Sequence, residues 1–289
     1  MRYLLFVLFS FGAQAIEVAS LHPLLTDMVK QVGGERVSVV EVGKPGMSVH
    51  EFEPRPSDLR KMGKVKLIFA SGKKIETYLG DLEDSLNGGQ IIVEVGRTIP
   101  SQKISKKDQI YACCPTHAMG GIDPHWWHNV RHMERAVRVI EKKLTAADPE
   151  GKGHYAARAK AAAARLRALD GWVKAQVATI PRGKRHLVTA HAAFGYFCKA
   201  YGFKATYVQG LNADGEVPAK QLATSIKDVR DAEIPTIFPE MLSNPKILKQ
   251  IARETGSTLG KPIVADGAVA SYEKMIRGNV SHIVNGLRK

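Results

Sequence analysis

Short β-branched runs alternate with amphipathic stretches along most of this chain, and the alternation predicts where strands and helices fall. In "IEVASLHPLLTDMVKQVGGERVSVVEVG" an apolar run leads into a segment of helical periodicity that Gly33 and Gly34 end, and a second β-branched run follows. That is a βαβ unit. "PSDLRKMGKVKLIFASG" repeats the scheme as helix then strand, and "GGQIIVEVG" adds a strand. Strands separated by helices predict a parallel sheet covered on both faces.

From "HNVRHMERAVRVIEKKL" to "VKAQVATIP" the pattern is helical almost throughout, broken at Asp148 and Pro149 into a shorter helix and a long one. The Ala, Leu, Arg and Lys content from Gly153 to Ala178 predicts a helix on the order of 35 to 40 Å long. A second α/β series follows: strand "HLVTA", helix "AAFGYFCKAYG", strand "KATYVQG", helix "AKQLATSIKDVRDA", strand "TIFPE", helix "NPKILKQIARETG", strand "KPIVA" and terminal helix "SYEKMIRGNVSHIVNGLRK". The two halves share a layout without a residue-by-residue repeat. The expected fold is α/β, with two doubly wound parallel-sheet domains joined by one long helix. The boundaries fall at residues 16–148, 149–180 for the linking helix, and 181–289.

Composition refines this picture. With 289 residues and 44% hydrophobic content, the chain can bury a core large enough for two domains. The opening "MRYLLFVLFSFGAQA" sets Arg2 before an apolar run and ends in small residues, so residues 1–15 are expected to be a secretory signal and the mature protein periplasmic. That run is too short to span a bilayer. Without a cysteine after the small residues, no lipid attachment is expected. The formal charge of +14 raises a nucleic-acid reading, but the cations are spread along helices and not interleaved with aromatics, so no nucleic-acid partner is expected. Of three cysteines, Cys113 and Cys114 are adjacent, where a bridge would be strained, and Cys198 in "AAFGYFCKAYG" is expected to be a buried small apolar residue.

The chemistry lies in the histidines. His50 follows "VVEVGKPGMSV", His125 follows Asp123-Pro124, and His191 follows "HLVTA", each at or near the carboxyl end of a predicted strand, where α/β sheets place ligands. Asp266 follows "KPIVA" in the corresponding place. Three imidazoles and one carboxylate converging from both halves would make a tetrahedral set that suits zinc. Isolated histidines are more often structural, and His22, His132, His154, His186 and His282 are placed in that class.

"HEFEPRPSDLRKMGKVKLIFASG" resembles the His-x-x-x-Pro-x-Pro-Ser-Asp segment of the zinc and manganese cluster of periplasmic solute-binding proteins, the metal receptors of ABC importers. "DPHWWHNV" is similar to that family's Asp-Pro-His-x-Trp segment, "TAHAAFGYFCKAYGF" to its His-x-x-Phe-x-Tyr-Phe segment, and "YEKMIRGNVSHIVNGL" to its last helix. The resemblance covers essentially the whole mature chain. It implies a metal site in the cleft between two domains, with His50, His125, His191 and Asp266 as ligands and Trp127 in the family tryptophan's place. Zinc receptors tend to have histidine at the third ligand position and manganese receptors glutamate, so His191 favours zinc over manganese. Glu240 matches an acidic residue kept on a neighbouring strand and is expected to orient a ligand histidine. His128, at the mouth of the next helix, is a lesser candidate, first expected as a polar residue of the helix's opening turn.

The chain departs from the family in three places, one of them "EVPAK" before the helix near Lys220, where relatives read Glu-Pro-Ser. Where relatives have Asp-Pro-Leu after the last strand it has "ADGAVA", which predicts a more mobile loop around Asp266, and in place of a long His-rich loop it has "SQKISKKDQIYACCPTHAMGG". There Cys113, Cys114 and His117 make either an auxiliary soft-metal site or, the favoured reading, an ordinary surface loop. The resulting expectation is a monomeric, high-affinity zinc receptor that delivers Zn2+ to a membrane permease, with a zinc chaperone as a candidate second partner. Manganese receptor and zinc hydrolase are the alternatives. The hydrolase reading would need a base such as Glu240 or Glu51, and the chain has no His-Glu-x-x-His signature.

Overall fold

The structure, a computed structural model, describes residues 15–86, 88–112, 115–209 and 217–288. The expected signal segment, apart from Ala15, and Cys113 and Cys114 lie outside the described residues.

The first half begins β1 (Ile16–Ser20), α1 (Pro23–Gly33), β2 (Val37–Glu41), α2 (Pro56–Met62), β3 (Leu67–Ala70), α3 (Leu79–Ser85) and β4 (Ile91–Glu94). The strands form one parallel sheet in the order β2-β1-β3-β4. All four residues of β3 are buried, as continuous apolar strands between two helical layers should be. Helix α1 takes its N-cap from His22, whose Nδ1 accepts the Leu24 N–H at 3.2 Å, with Pro23 in the first turn, where a missing N–H does no harm. A two-stranded antiparallel pair, β5 (Gln102–Lys103) with β6 (Ile122–Asp123), brackets the short α4 (Pro115–Gly120).

Two long helices follow, α5 (Val130–Ala147) and α6 (Lys152–Ala178). Asn129 caps α5 by accepting the Arg131 N–H, and the break between the helices falls at Asp148-Pro149 as the sequence predicts. The 27 residues of α6 span about 40 Å at 1.5 Å per residue. Its buried positions, Tyr155, Ala159, Ala162, Leu166, Leu169, Val173 and Val177, recur every three or four residues and pack on α5, α1 and the last helix.

The second half comprises β7 (His186–Thr189), α7 (Gly195–Tyr201), β8 (Lys204–Tyr207), α8 (Ala219–Asp231), β9 (Thr236–Ile237), α9 (Lys246–Thr255), β10 (Thr258–Leu259) and α10 (Tyr272–Leu287). Strands β7 and β8 pair in parallel, as do β9 and β10, and the Phe238 N–H bonds to the Val188 carbonyl at 2.9 Å between the two pairs. The order is therefore β8-β7-β9-β10, the same scheme as in the first half.

"KPIVA" differs from its expected strand: only Ile263 bridges to a neighbour, Glu240. The Ile263 N–H and carbonyl pair with the Pro239 carbonyl and the Met241 N–H, the Val264 N–H and carbonyl on the other side both bond the Asn279 side-chain amide of α10, each at 2.7 Å, and the Ala265 carbonyl is taken by Trp127 and His128, so the ladder stops at Ile263. Each sheet keeps a private cluster on its outer face, including Ala19, Ile68 and Met62 in the first and Val188, Ile237 and Leu248 in the second. One contiguous core joins the inner faces, taking in Val18, Phe69, Trp126, Trp127, Leu166, Phe194, Ile263 and Ile276. Each of the two tryptophans, both essentially inaccessible, buries on the order of 200 Å², about 5 kcal/mol of gross hydrophobic free energy. No helix among the described residues is long and apolar enough to cross a membrane.

Candidate metal centre

The structure brings His50, His125, His191 and Asp266 together, with one potential donor atom from each lying within 4.8 Å of all the others. His50 comes from the loop after β2, His125 from the turn after β6, His191 from the second residue beyond β7, and Asp266 from the segment after the Ile263 bridge. The Nε2 atoms of His50 and His125 are 3.3 Å apart. Asp266 sets Oδ2 3.5 Å from His50 Nε2 and Oδ1 3.5 Å from His125 Nε2.

His125 is oriented by its own neighbourhood. In the Asp-Pro-His turn the Asp123 carboxylate accepts both the His125 backbone N–H at 2.9 Å and the ring Nδ1–H at 2.8 Å, which leaves Nε2 facing the centre. The two tryptophans that follow fix the turn to the body: Trp126 donates to the Ser71 carbonyl at 3.1 Å and Trp127 to the Ala265 carbonyl at 2.9 Å. His191 repeats the arrangement. Glu240 accepts the His191 backbone N–H at 3.1 Å and sits 2.5 Å from its Nδ1. The outward His191 Nε2 is buried with no hydrogen-bond partner among the described residues. A buried, unpaired imidazole nitrogen is costly to leave without a partner, and next to His50, His125 and Asp266 its chemistry fits a metal ion.

Burial holds His125 well below the usual imidazole range, against the opposing pull of Asp266. Burial also acts to lower His191, but the Glu240 charge and hydrogen bond, with Asp266 and Asp123, outweigh it and lift the imidazole to about 9. Asp123 is pushed up to about 8 by burial. Burial works to raise Asp266, yet the surrounding imidazoles, His50 first, hold its carboxyl far below its ordinary value. At neutral pH the pocket therefore pairs an ionised Asp266 with a protonated His191. A divalent cation entering would displace that proton.

The remaining sequence candidates lie elsewhere. His128 is buried but directed away from the cluster, with Nε2 donating to the Ala265 carbonyl at 2.7 Å. It and Trp127 thus grip the residue before Asp266. His117 is buried with its Nε2 2.9 Å from the Lys73 carbonyl and is not part of the four-residue cluster. Glu240 is occupied by His191 through both oxygens. Sequence reasoning missed Asp123 and Asn279. An aspartate two residues before a histidine, with proline between, was the available signal for the first, whereas nothing local marks the second.

The site opens through a pocket of about 120 Å³ whose lining includes Met47, Glu51, Met241 and Leu242 along with His50, His191 and Asp266. The "ADGAVA" loop does not project from the body: Gly267 is buried, and Ala268 and Val269 pack against the main core. Packing thus counters the looser loop expected from glycine in place of proline.

Comparison with known proteins agrees with this architecture. The family model described as zinc-uptake complex component A, periplasmic, matches residues 18–286. The manganese-binding lipoprotein MntA of Halalkalibacterium halodurans is 28% identical over 280 residues, covering 95% of this chain and 89% of its own length. The iron-binding protein YfeA of Yersinia pestis is 27% identical over 280 residues, with 95% and 87% covered. Among solved structures, the periplasmic zinc-binding protein TroA of Treponema pallidum superposes with a TM-score of 0.83 at 25% identity, covering 96% of this chain and 100% of that one.

Proposed function

The chain belongs to the family of periplasmic zinc-uptake complex component A proteins, metal-binding receptors of ABC importers and not enzymes, and we propose that within it the cargo is zinc, held by His50, His125, His191 and Asp266. The observation that carries this reading is the donor set: three imidazoles and one carboxylate, all within 4.8 Å, with His191 Nε2 buried and unpaired. Zinc takes such mixed nitrogen and oxygen sets in tetrahedral geometry, whereas manganese is better served by more oxygen donors.

The cation enters at the pocket that His50, His191 and Asp266 line, exchanges water for these donors, and is completed by His125, which is fully buried behind them. Asp123 and Glu240 keep the two inner imidazoles in the tautomer that presents Nε2. The zinc-hydrolase alternative falls with family membership, and the site agrees, because Glu240 is committed to His191 and the protein itself supplies four donors. Because the inner faces of both halves share one core, release to the permease proceeds through the loops at the mouth rather than through wide separation of the halves.

Manganese is the second reading. It is favoured by the similarity to the manganese-binding lipoprotein of Halalkalibacterium halodurans and by an Asp266 whose two oxygens face two different histidines, a placement open to bidentate ligation. Titrating the metal-free protein with zinc and with manganese, each against a competing chelator, separates the two. Tight one-to-one zinc binding with manganese at least tenfold weaker supports zinc, and equal or reversed affinities overturn it.

A further inference from the structure

Of the four donors, His50 and Asp266 have no carboxylate behind them of the kind that holds His125 and His191; among the described residues the polar contacts of the His50 ring are with His125 and Asp266 themselves. What brings these two together is backbone. The Gly46 N–H, four residues before His50, donates to the Gly267 carbonyl, one residue after Asp266, at 3.1 Å. Gly46 has φ +87° and nothing near the place a Cβ would take, so the left-handed conformation is what glycine supplies there.

Gly267 is glycine for a different reason. A Cβ on it would lie 2.7 Å from Pro23 Cγ, 2.9 Å from Pro23 Cδ and 3.2 Å from Val49 Cγ1. Pro23 opens α1 and cannot yield without shifting that helix, and Val49 is the residue before His50. On its other side Asp266 is preceded by Ala265, whose carbonyl already takes bonds from Trp127 and His128. A side chain at 267 therefore has one way to relieve the clash: the segment after Asp266 lifts away from Val49, and the bridge to Gly46 lengthens.

We propose that Gly267 is a positioning residue for the metal. Its bare α-carbon lets the Gly46 to Gly267 bridge form, and the bridge makes His50 and Asp266 a single outer unit that reaches or leaves the ion together. This rests on the metal-receptor reading of the same site. A latch of this kind sets how long the ion stays more than whether the inner histidines can find it, because losing the bridge frees two ligands at once.

Gly267→Ala and the double variant Pro23→Ala/Gly267→Ala test it, the second removing the two nearest of the three atoms that the new methyl group would meet and leaving only the 3.2 Å approach to Val49 Cγ1. Zinc affinity by chelator competition and zinc dissociation by stopped-flow chelation are measured on each full-length mature protein, with thermal unfolding of the metal-free forms and hydrogen exchange at the Gly46 amide. The latch predicts dissociation from Gly267→Ala faster by about tenfold or more, in the range of lost supporting contacts around a metal. It predicts recovery to within about threefold of wild type in the double variant, and Gly46 amide protection in the metal-free protein that is lost in the single variant and regained in the double. Wild-type dissociation from Gly267→Ala, or no recovery in the double variant, overturns the latch; a clash that only destabilises is also relieved at Pro23, and Gly46 amide protection that persists in the metal-free single variant identifies it and overturns the latch. A wild-type protein that binds neither zinc nor manganese overturns the receptor reading and this role with it, whereas a wild type that binds and a Gly267→Ala variant that behaves identically overturn the latch alone.

Discussion

The inner pair of donors, His125 and His191, and the outer pair, His50 and Asp266, are held by different physics. Each inner imidazole has a buried carboxylate on Nδ1 that also takes its own backbone N–H, so ring and main chain are fixed by one group. The outer pair has no such carboxylate, and the Asp266 side chain is the most open of the four, 17% exposed against 4% or less for the histidines. Its loop is placed from outside, by donors on Ala265, by Asn279 on Val264 and by Gly46 on Gly267. The difference teaches that a capture site can combine a preset half, ready before the ion arrives, with a half whose assembly depends on backbone contacts between loops. The first gives affinity and the second gives a way out.

Removing an inner ligand tests this contrast most severely. Zinc binding of about 10 to 16 kcal/mol spread over four protein ligands implies about 3 kcal/mol each, a loss of about 100-fold or more for His125→Ala or His191→Ala in chelator competition. The same substitution at His50 or Asp266 is expected to weaken affinity less and to speed dissociation more. Equal losses in affinity and off-rate at all four positions would erase the distinction between pairs.

Disarming the carboxylates behind the inner pair comes next. Asp123→Asn and Glu240→Gln keep the shape and take away the carboxyl group, and each is expected to weaken zinc about 10- to 100-fold while the metal-free protein stays folded. An unaffected affinity in both would mean that burial alone orients the rings.

Acidification separates the buried histidines by sign. His191, lifted to about 9, carries a proton at neutral pH that zinc must displace, so affinity should fall about tenfold per pH unit on going down through neutrality, with close to one proton released in calorimetry run in two buffers. In the metal-free protein the raised imidazole contributes stability that is fully present below its unfolded value of 6.5 and lost as pH rises through about 9. His22 and His128 act oppositely. Burial lowers both to about 4, so their contribution is complete above 6.5 and lost as pH falls toward 4, on the order of 3 kcal/mol for each fully buried ring. Denaturant titrations of the metal-free protein across pH 4 to 9 check both directions.

The smallest effect concerns the grip on Ala265. Trp127→Phe removes one donor and keeps most of the apolar ring, so a loss of about 1 kcal/mol in unfolding free energy is expected, with only a small change in zinc affinity. A large affinity loss would move Trp127 from bracing the segment to shaping the site.

Much of this was legible in the chain. The β1-α1-β2 unit shows in its switch from alternating to helical periodicity and in Gly33-Gly34, and α6 shows in its uninterrupted Ala, Leu, Arg and Lys content, because these signals are local. The four side chains that the structure brings together were legible as residues after predicted strands, reinforced by family motifs. What escaped was set by contacts distant in sequence. "KPIVA" has the composition of a strand, and only side chains distant in sequence, Asn279 on Val264 and Trp127 and His128 on Ala265, show why it pairs through Ile263 alone. The packing of Gly267 under Pro23 is likewise invisible in "ADGAVA", where glycine suggests freedom and the fold uses it for close approach.

X-ray absorption at the zinc edge on the stoichiometrically loaded protein tests the central claim most directly. The account predicts a four-coordinate shell of three imidazole nitrogens and one carboxylate oxygen at about 2.0 to 2.2 Å, with imidazole outer-shell scattering. A sulfur shell at about 2.3 Å, placing the ion with Cys113 or Cys114, or fewer than two imidazoles, would contradict it.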